Sequence, residues 1–427
     1  MKKWKLKFII FFKKIYRKAI KKIVRISLLS FSKIILRKYK PLIVGITGSM
    51  GKTIATRFIA KVLKSKYEVL ETEYEEKTLL TIPLTILRIK AEPSTKNLFY
   101  LLTFIFIKFL RIILLPYHYP KILVLEFRAD VSRGEKMKKL IKILKPKFGV
   151  ITAIEPTHLI YFKNIQNIIN AKRSLVELLP SSGFAILNYD DKRVKDMAQF
   201  TKAKVIFYGL NSKADIHASR LTVSTKGLNF TLNYRKTKRR VTISKIINKY
   251  HIYGVLAAVA VGILNNINFE KIIKEIKKLS PPTGRGNIVK GIKNTVIIND
   301  AFNANLKSTK AALETLGTLA GRRRKIAVLG DMLQLDKYSK KTHQEIGKKV
   351  VKEKIDTLIT VGRESKIIAK EAKKRGLALK NIFQATKVET VLPLLKSILK
   401  KDDVILLKGS HDMGLYKLIK DLKSTNL

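Results

Sequence analysis

The chain has 427 residues, enough for two or three domains that bury their cores without covalent staples. It contains no cysteine, which excludes disulfides, thiolate metal sites and thiol nucleophiles together and fits a reducing, cytoplasmic compartment. A net charge of +57, from 88 Lys and Arg against 31 Asp and Glu, points to anionic partners, although lysine runs throughout also spread charge over every surface.

Residues 1–40 carry no acidic group, the first being Glu68. Basic pairs at Lys13-Lys14, Arg17-Lys18 and Lys21-Lys22 alternate with Phe11-Phe12, Ile15-Tyr16, Ala19-Ile20 and Ile23-Val24, every four residues. That period predicts a helix with cations on one face and bulky apolar groups on the other, suited to an anionic membrane surface. The competing reading is an amphipathic helix packed on the rest of the protein, its lysines in water. A nucleic-acid arm needs charge but no broad apolar face, so no specific nucleic acid is expected. The apolar run Phe8 to Phe12 falls far short of the roughly 20 residues needed to cross a bilayer, and no cleavage site follows.

In "VGITGSMGKTIATRFIA" (44–60), an apolar strand precedes a glycine-broken loop, and Ile54, Phe58, Ile59, Val62 and Leu63 then recur at helical spacing. Strand, glycine loop, Lys-Thr and helix is the order of a phosphate-binding loop, whose backbone N–H groups surround an anion. Gly48, Ser49 and Gly51 would form the cradle, Lys52 would reach the β- and γ-phosphates, and Thr53 would ligate magnesium. Ile46 stands where the usual pattern has its first glycine. The plainer alternative is a loop that merely turns a strand into a helix.

"NLFYLLTFIFIKFLRIILLP" (97–116) contains Lys108 and Arg111, so it reads as a buried or interfacial helix rather than a spanning one. A second membrane contact and a helix packed over the sheet both remain open. "KILVLEFRAD" (121–130) is a buried strand ending at Glu126, where an α/β nucleotide enzyme places a metal ligand. "KFGVITAIEPTHL" adds a strand ending near His158, and "NIINAKRSLVELL" a helix carrying Lys172. A histidine after a strand is more often structural, and a helical lysine is usually a solvated charge.

Ser280-Pro-Pro marks a break, beyond which "TVIIND", "RKIAVLGD", "DTLITVG" and "DVILLKGS" are strands separated by helical patterns. They predict a second α/β domain with a mainly parallel sheet. It has no G-x-G-x-x-G, so dinucleotide binding is unsupported. The expected division is 1–40 basic arm, 41–279 central ATP-binding domain and 280–427 C-terminal domain.

From Pro41 onward, "GITGSMGKT", "IPLTIL", "LEFRAD", "PTHL", "AKRSLVELLP", "GRG", "INDAFNANLKS", "VLGDMLQL" and "LLKGSHDMGL" stand in an order and spacing that resemble the Mur ligase family, above all its D-alanyl-D-alanine-adding branch. The resemblance implies an α/β fold, with a P-loop ATPase domain and a Rossmann-like C-terminal domain. It implies an ATP-dependent ligase of peptidoglycan synthesis that activates a muramoyl-peptide carboxylate as an acyl phosphate, which an amino-acid or dipeptide amine attacks. By matched position, Glu126 and His158 resemble magnesium ligands and Thr53 the ligand of ATP-bound magnesium. Lys172 resembles the lysine modified by carbon dioxide, whose carbamate replaces a cation by a carboxylate-like ligand. Lys52, Lys172 and His158 are then the catalytic set. Arg285 would meet ATP on closure, Asp300 the ribose, and Asn303 the nucleotide. Asn305 and Ser308 would orient substrate, with a loop cap as the plainer reading of all three polar loop residues. Lys408, Gly409 and Ser410 would face the incoming amine, with a strand-end turn as their alternative.

Several positions depart from the family pattern. Only some forty residues precede the loop, so the separate domain that binds UDP-sugar in the family is not expected. Arg128 replaces a glycine, "TEYEEKTLLTIPL" lacks paired asparagines, Tyr250 and Gly254 stand where histidine and asparagine are usual, and "GSHDMG" replaces Gly-Ser-Arg-Gly-Met-Gly. Phosphate chemistry is expected to be intact and substrate recognition altered. Two other readings compete: a membrane-associated ATP-binding scaffold without ligation, and a ligase extending glutamate on folate or another amino-acid polymer. The placement expected is cytoplasmic, peripheral at the inner face of the cell membrane.

Overall fold

A computed structural model describes residues 22–73, 80–89, 98–115, 118–128, 134–156, 162–224 and 226–424. The first sheet has nine strands, in the order β2 (Val69–Glu71), β3 (Ile122–Glu126), β1 (Leu42–Thr47), β4 (Phe148–Ile151), β5 (Phe184–Asn188), β6 (Lys204–Gly209), β7 (Ile216–Ser224), β8 (Gly227–Tyr234) and β9 (Thr237–Ile243). β2 to β7 pair in parallel, and β8 and β9 complete an antiparallel meander. The parallel strands read as unbroken apolar runs because helices cover both faces. The chain leaves β1 for β2 and β3 on one side and reaches β4 on the other. At such a reversal a crevice opens beyond the carboxyl ends of the strands.

On one face, α2 (Lys52–Leu63) packs against a buried helix after β9 through Phe58, Ile59 and Val62 with Leu256 and Val259. A Cβ at Gly254 of that later helix would lie 2.7 Å from Ile54 Cγ2, so the helices approach too closely for the asparagine expected there. On the other face lie α1 (22–39), α3 (Leu98–Leu114) and α4 (Ile165–Glu177). Leu28, Ile35, Ile105, Phe109, Ile112 and Leu175 share their core with Leu123 and Leu125 of β3. Residues 22–40 thus pack on the central domain, and α3 lies over the sheet on its Ile105–Phe109–Ile112 side. Residues 1–21 of the basic arm lie outside the described residues. Among the described residues, no helix is long and apolar enough to cross a membrane.

The second sheet runs β10 (Asn287–Lys290), β11 (Val296–Asp300), β15 (Val404–Lys408), β12 (Lys325–Gly330), β13 (Thr357–Val361) and β14 (Ile382–Ala385), parallel except for β10. Helices bury both faces, with Leu313, Leu316 and Ile346 on one side and Leu395 and Leu415 on the other. The loops after β1, β3 and β4 and those after β11 and β15 line one cleft between the sheets, about 830 Å³ in volume.

Candidate active site

The loop between β1 and α2 is held in shape by its neighbour after β4. Ser49 N–H donates to Ala153 O at 2.6 Å, Ser49 Oγ to Glu155 O at 3.0 Å, and Thr152 Oγ1 to Met50 O at 2.5 Å. Gly48 (φ +151°) and Gly51 (φ +80°) take conformations that side chains disfavour, and a Cβ at Gly48 would stand 2.0 Å from Thr152 Oγ1. Gly51 leads directly into α2, so the first turn of the helix presents its backbone N–H groups to the cleft.

Glu126 is the last residue of β3, in register with Ile46 of β1, which sets its carboxylate beside the start of α2. Its Oε2 accepts from Thr53 Oγ1 at 2.9 Å and its Oε1 from Arg128 Nε at 3.1 Å. Burial works to raise the Glu126 pKa, but the charges of Arg128, Lys52 and Arg285 outweigh it and hold the carboxyl below its ordinary range. Burial, with Arg128 and Arg285 adding repulsion, lowers Lys52 to about 8 against the pull of Glu126. Lys172, in α4, is buried and donates from Nζ to Gly48 O at 2.7 Å. Burial and the neighbouring Lys52 depress its pKa well below that of an ordinary lysine.

Across the cleft, Arg285 extends its guanidinium 3.8 Å above the Phe302 ring and 3.4 Å from Thr53 Oγ1. Register places Asp300, ending β11, beside Lys408, ending β15. Lys408 Nζ donates to Asp300 Oδ2 at 2.7 Å and to Asn303 O at 2.9 Å, and its side chain is only 1% exposed. Burial raises the Asp300 pKa against the opposing charge of Lys408. Asn305 and Ser308 form a capping box at the start of α5 (Leu306–Ala320), their side chains each meeting the other's backbone N–H.

Gly48, Ser49, Gly51, Lys52, Thr53, Glu126, Lys172, Arg285, Asp300, Asn303, Asn305, Ser308, Lys408 and Ser410 therefore line one cleft. Lys408 turns its ammonium onto Asp300 rather than outward, and Gly409 sits behind the lining against Leu415 and Gly330. Ser410 Oγ accepts from Leu333 N–H at 2.9 Å, tying the "VLGDMLQL" loop to the end of β15. His158 lies outside the described residues. Sequence reasoning missed Phe302, the platform under Arg285, although it stands inside the quoted "INDAFNANLKS". It also missed His251, buried in the cleft wall with no hydrogen-bond partner for Nδ1 among the described residues. Burial, then the charges of Arg285 and Lys408, push His251 down to about 3.

Thr53 Oγ1 and a Glu126 carboxylate 2.9 Å apart are hard oxygen donors beside a phosphate loop, a set that fits magnesium. No group of three or more His, Cys, Asp or Glu poised to hold a metal occurs among the described residues, which do not include His158.

Two α/β domains closing a phosphate loop, a buried carboxylate and a facing arginine over one cleft define an enzyme that uses ATP to activate a second substrate. The chain matches the Mur ligase middle domain over residues 46–262 and the Mur ligase, glutamate ligase domain over residues 284–411. It belongs to the Mur ligase family. The UDP-N-acetylmuramoyl-tripeptide--D-alanyl-D-alanine ligase of Bacillus subtilis is 28% identical over 93% of this chain and 79% of that protein. Its namesake in Mycobacterium tuberculosis is 27% identical over 87% of this chain and 71% of its own length. Among solved structures, MurF from Acinetobacter baumannii shares the fold with a TM-score of 0.77 at 20% identity, covering 93% of this chain and 80% of that one. The MurF ligase of Thermotoga maritima in complex with ADP does so with a TM-score of 0.75 at 21% identity, over 92% and 82%.

Proposed function

We propose that this protein joins D-alanyl-D-alanine to a UDP-N-acetylmuramoyl-tripeptide at the expense of ATP, in peptidoglycan synthesis. The observation that carries the reading is the convergence of Lys52, Thr53 and Glu126 from one domain with Arg285 from the other at the mouth of the phosphate loop. The curated relatives named above support the choice of substrates.

The loop N–H groups and Lys52 bind the ATP phosphates, and Arg285, braced on Phe302, approaches the γ-phosphoryl from the opposite domain. The substrate carboxylate attacks γ-phosphorus, ADP leaves, and an acyl phosphate forms. The dipeptide amine then attacks the acyl carbon, phosphate departs with the C–O bonding pair, and the amine gives up its proton. Phosphorylation is needed because a carboxylate oxygen is a poor leaving group. Asp300 is suited to the ribose hydroxyls, with Lys408, itself anchored on Asn303 O, holding it in place, while Asn305, Ser308 and Ser410 border the acceptor side. Thr53 and Glu126 would hold magnesium, which when bound neutralises charge on the transferring phosphoryl group. Lys172 is suited to carbamylation: its depressed pKa favours the neutral amine, which adds carbon dioxide and releases a proton to give an anionic ligand. The basic, apolar sequence of residues 1–40, of which 22–40 pack on the central domain, supports a peripheral placement of the enzyme on the anionic inner face of the cell membrane.

Full-length protein incubated with ATP, UDP-N-acetylmuramoyl-tripeptide and D-alanyl-D-alanine should yield ADP, phosphate and the UDP-linked pentapeptide by mass spectrometry. Lys52→Ala should abolish all three. ATP binding with no amide product from this pair would reject the reading and leave a scaffold or a ligase for other substrates.

A further inference from the structure

α3 is apolar on both sides but covered on one. Ile105, Phe109 and Ile112 face the core, whereas Phe99, Tyr100, Thr103, Phe106, Ile107 and Leu114 are exposed on the far side, and half-buried Leu110 still packs against the core. Phe99 is 80% and Leu114 71% exposed, and Phe106 and Ile107 are exposed between them. The stripe from Phe99 to Leu114 is about 22 Å long. Exposed apolar residues scattered singly need no explanation, but a continuous stripe on a helix whose other face is already satisfied marks a contact surface.

The adjoining charge selects the occupant. Phe31 of α1 stacks on Phe109 at 4.4 Å between ring centroids and lies 6.0 Å from the Phe106 ring, so α1 runs beside the stripe. Over residues 22–40 and 98–115 there is no acidic side chain, while Lys33, Arg37 and Lys38 of α1 are exposed and Lys108 and Arg111 stand on α3 itself. α1 also exposes Ile23, Ile26 and Ile34. Apolar side chains on two helices that carry cations and no acidic group match the interface of an anionic bilayer, where rings enter the acyl boundary and ammonium and guanidinium groups meet phosphates. A second copy of this chain would bring like charges together.

We infer that the outer stripe of α3, flanked by the cations of α1, is a second membrane-contact surface that lays the folded enzyme on an anionic phospholipid bilayer. This rests on the peripheral placement proposed above but commits to a different part of the molecule from the arm.

The test is co-sedimentation of the full chain with phosphatidylglycerol–phosphatidylcholine vesicles, against phosphatidylcholine alone. The unaltered protein should bind only the anionic vesicles, and Phe99→Asp/Leu114→Asp should weaken binding by about tenfold or more while ATP-dependent turnover of soluble substrates is kept. Lys108→Glu/Arg111→Glu should do the same with no apolar group removed. If these variants bind unchanged while Lys13→Glu/Lys14→Glu in the arm releases the protein, the α3 surface is overturned and the peripheral placement stands. If the unaltered chain binds neither vesicle, both fall. If light scattering shows a dimer that Phe99→Asp/Leu114→Asp dissolves with no change on vesicles, the stripe belongs to a second copy and the inference is overturned.

Discussion

Lys52 sits among cations before any nucleotide arrives. With its pKa near 8, well below the ordinary 10.5, the free enzyme loses this charge as pH rises through about 8. Bound polyphosphate favours the ammonium and raises the pKa again, so binding above that pH must take up a proton. ADP titrated calorimetrically in buffers of different ionisation enthalpy should show almost no uptake near pH 7 and uptake approaching one proton near pH 9. Affinity should fall over the same interval, and Lys52→Ala should abolish the uptake. For the free protein the sign follows the same depression: the folded state binds fewer protons than the unfolded one between about 8 and 10.5, so the contribution of Lys52 to stability rises with pH there.

The neighbouring Arg128 occupies one oxygen of Glu126 that a metal would use. Arg128→Gly, which restores the residue usual in the family, should raise the Glu126 pKa and release Oε1. Half-saturating magnesium should fall by roughly twofold to fivefold, on the scale of one partly exposed ion pair. A magnesium titration of turnover, alongside direct manganese binding, checks this; unchanged metal affinity would show that Arg128 does not compete.

At the scale of elements, the phosphate loop depends on the loop after β4 as much as on its own glycines. Gly48→Ala would drive a methyl into Thr152 Oγ1, the hydroxyl that donates to Met50 O, and at φ +151° the backbone cost adds to the clash. ADP binding should weaken more than tenfold, while the melting temperature drops by only a few degrees because the strain stays within one loop. Retained ADP affinity would mean the loop adapts by other bonds. The local pattern shows why much of this was legible. Strand, glycine turn and helix follow one another in sequence, so Lys52 and Thr53 were placed by periodicity, and Glu126 by the end of an apolar strand. Lys172 and the residues across the cleft became legible only through family strings, because helical spacing does not say which lysine enters a cleft. The contacts of Arg285 with Thr53 and Phe302, and the burial of His251, depend on how two sheets face each other. α3 was ambiguous for a related reason: a helix apolar all round does not declare which side its neighbours cover.

At the scale of the molecule, Val223 and Ile247 of the central domain pack into the core of the second domain, and ion pairs add polar ties across the cleft. Lys307, at the start of α5, pairs with Glu155 in the loop bracing the phosphate site, and Lys249 pairs with Glu314 of α5. The lysines are about half exposed, at 47% and 48%, so each pair contributes only about 0–1 kcal/mol and is screened by salt. Ties that weak suit an enzyme whose domains must part to exchange substrates and close to bring Arg285 onto the phosphates. Lys307→Glu would set two carboxylates face to face beside the Ser49 anchor and favour the open arrangement. The Michaelis constant for ATP should rise about threefold to tenfold with little change in melting temperature, since both domain cores are untouched. Glu155→Lys/Lys307→Glu should recover most of the loss, because the exchanged pair restores attraction across the same gap. In roughly 0.5 M salt, where the Debye length is only a few ångströms, the single variant should approach the parent measured in the same salt. Steady-state kinetics on the three proteins at two ionic strengths tests the tie directly: a Lys307→Glu defect that neither the second substitution nor salt relieves would make Lys307 a ligand of the nucleotide rather than a latch between domains.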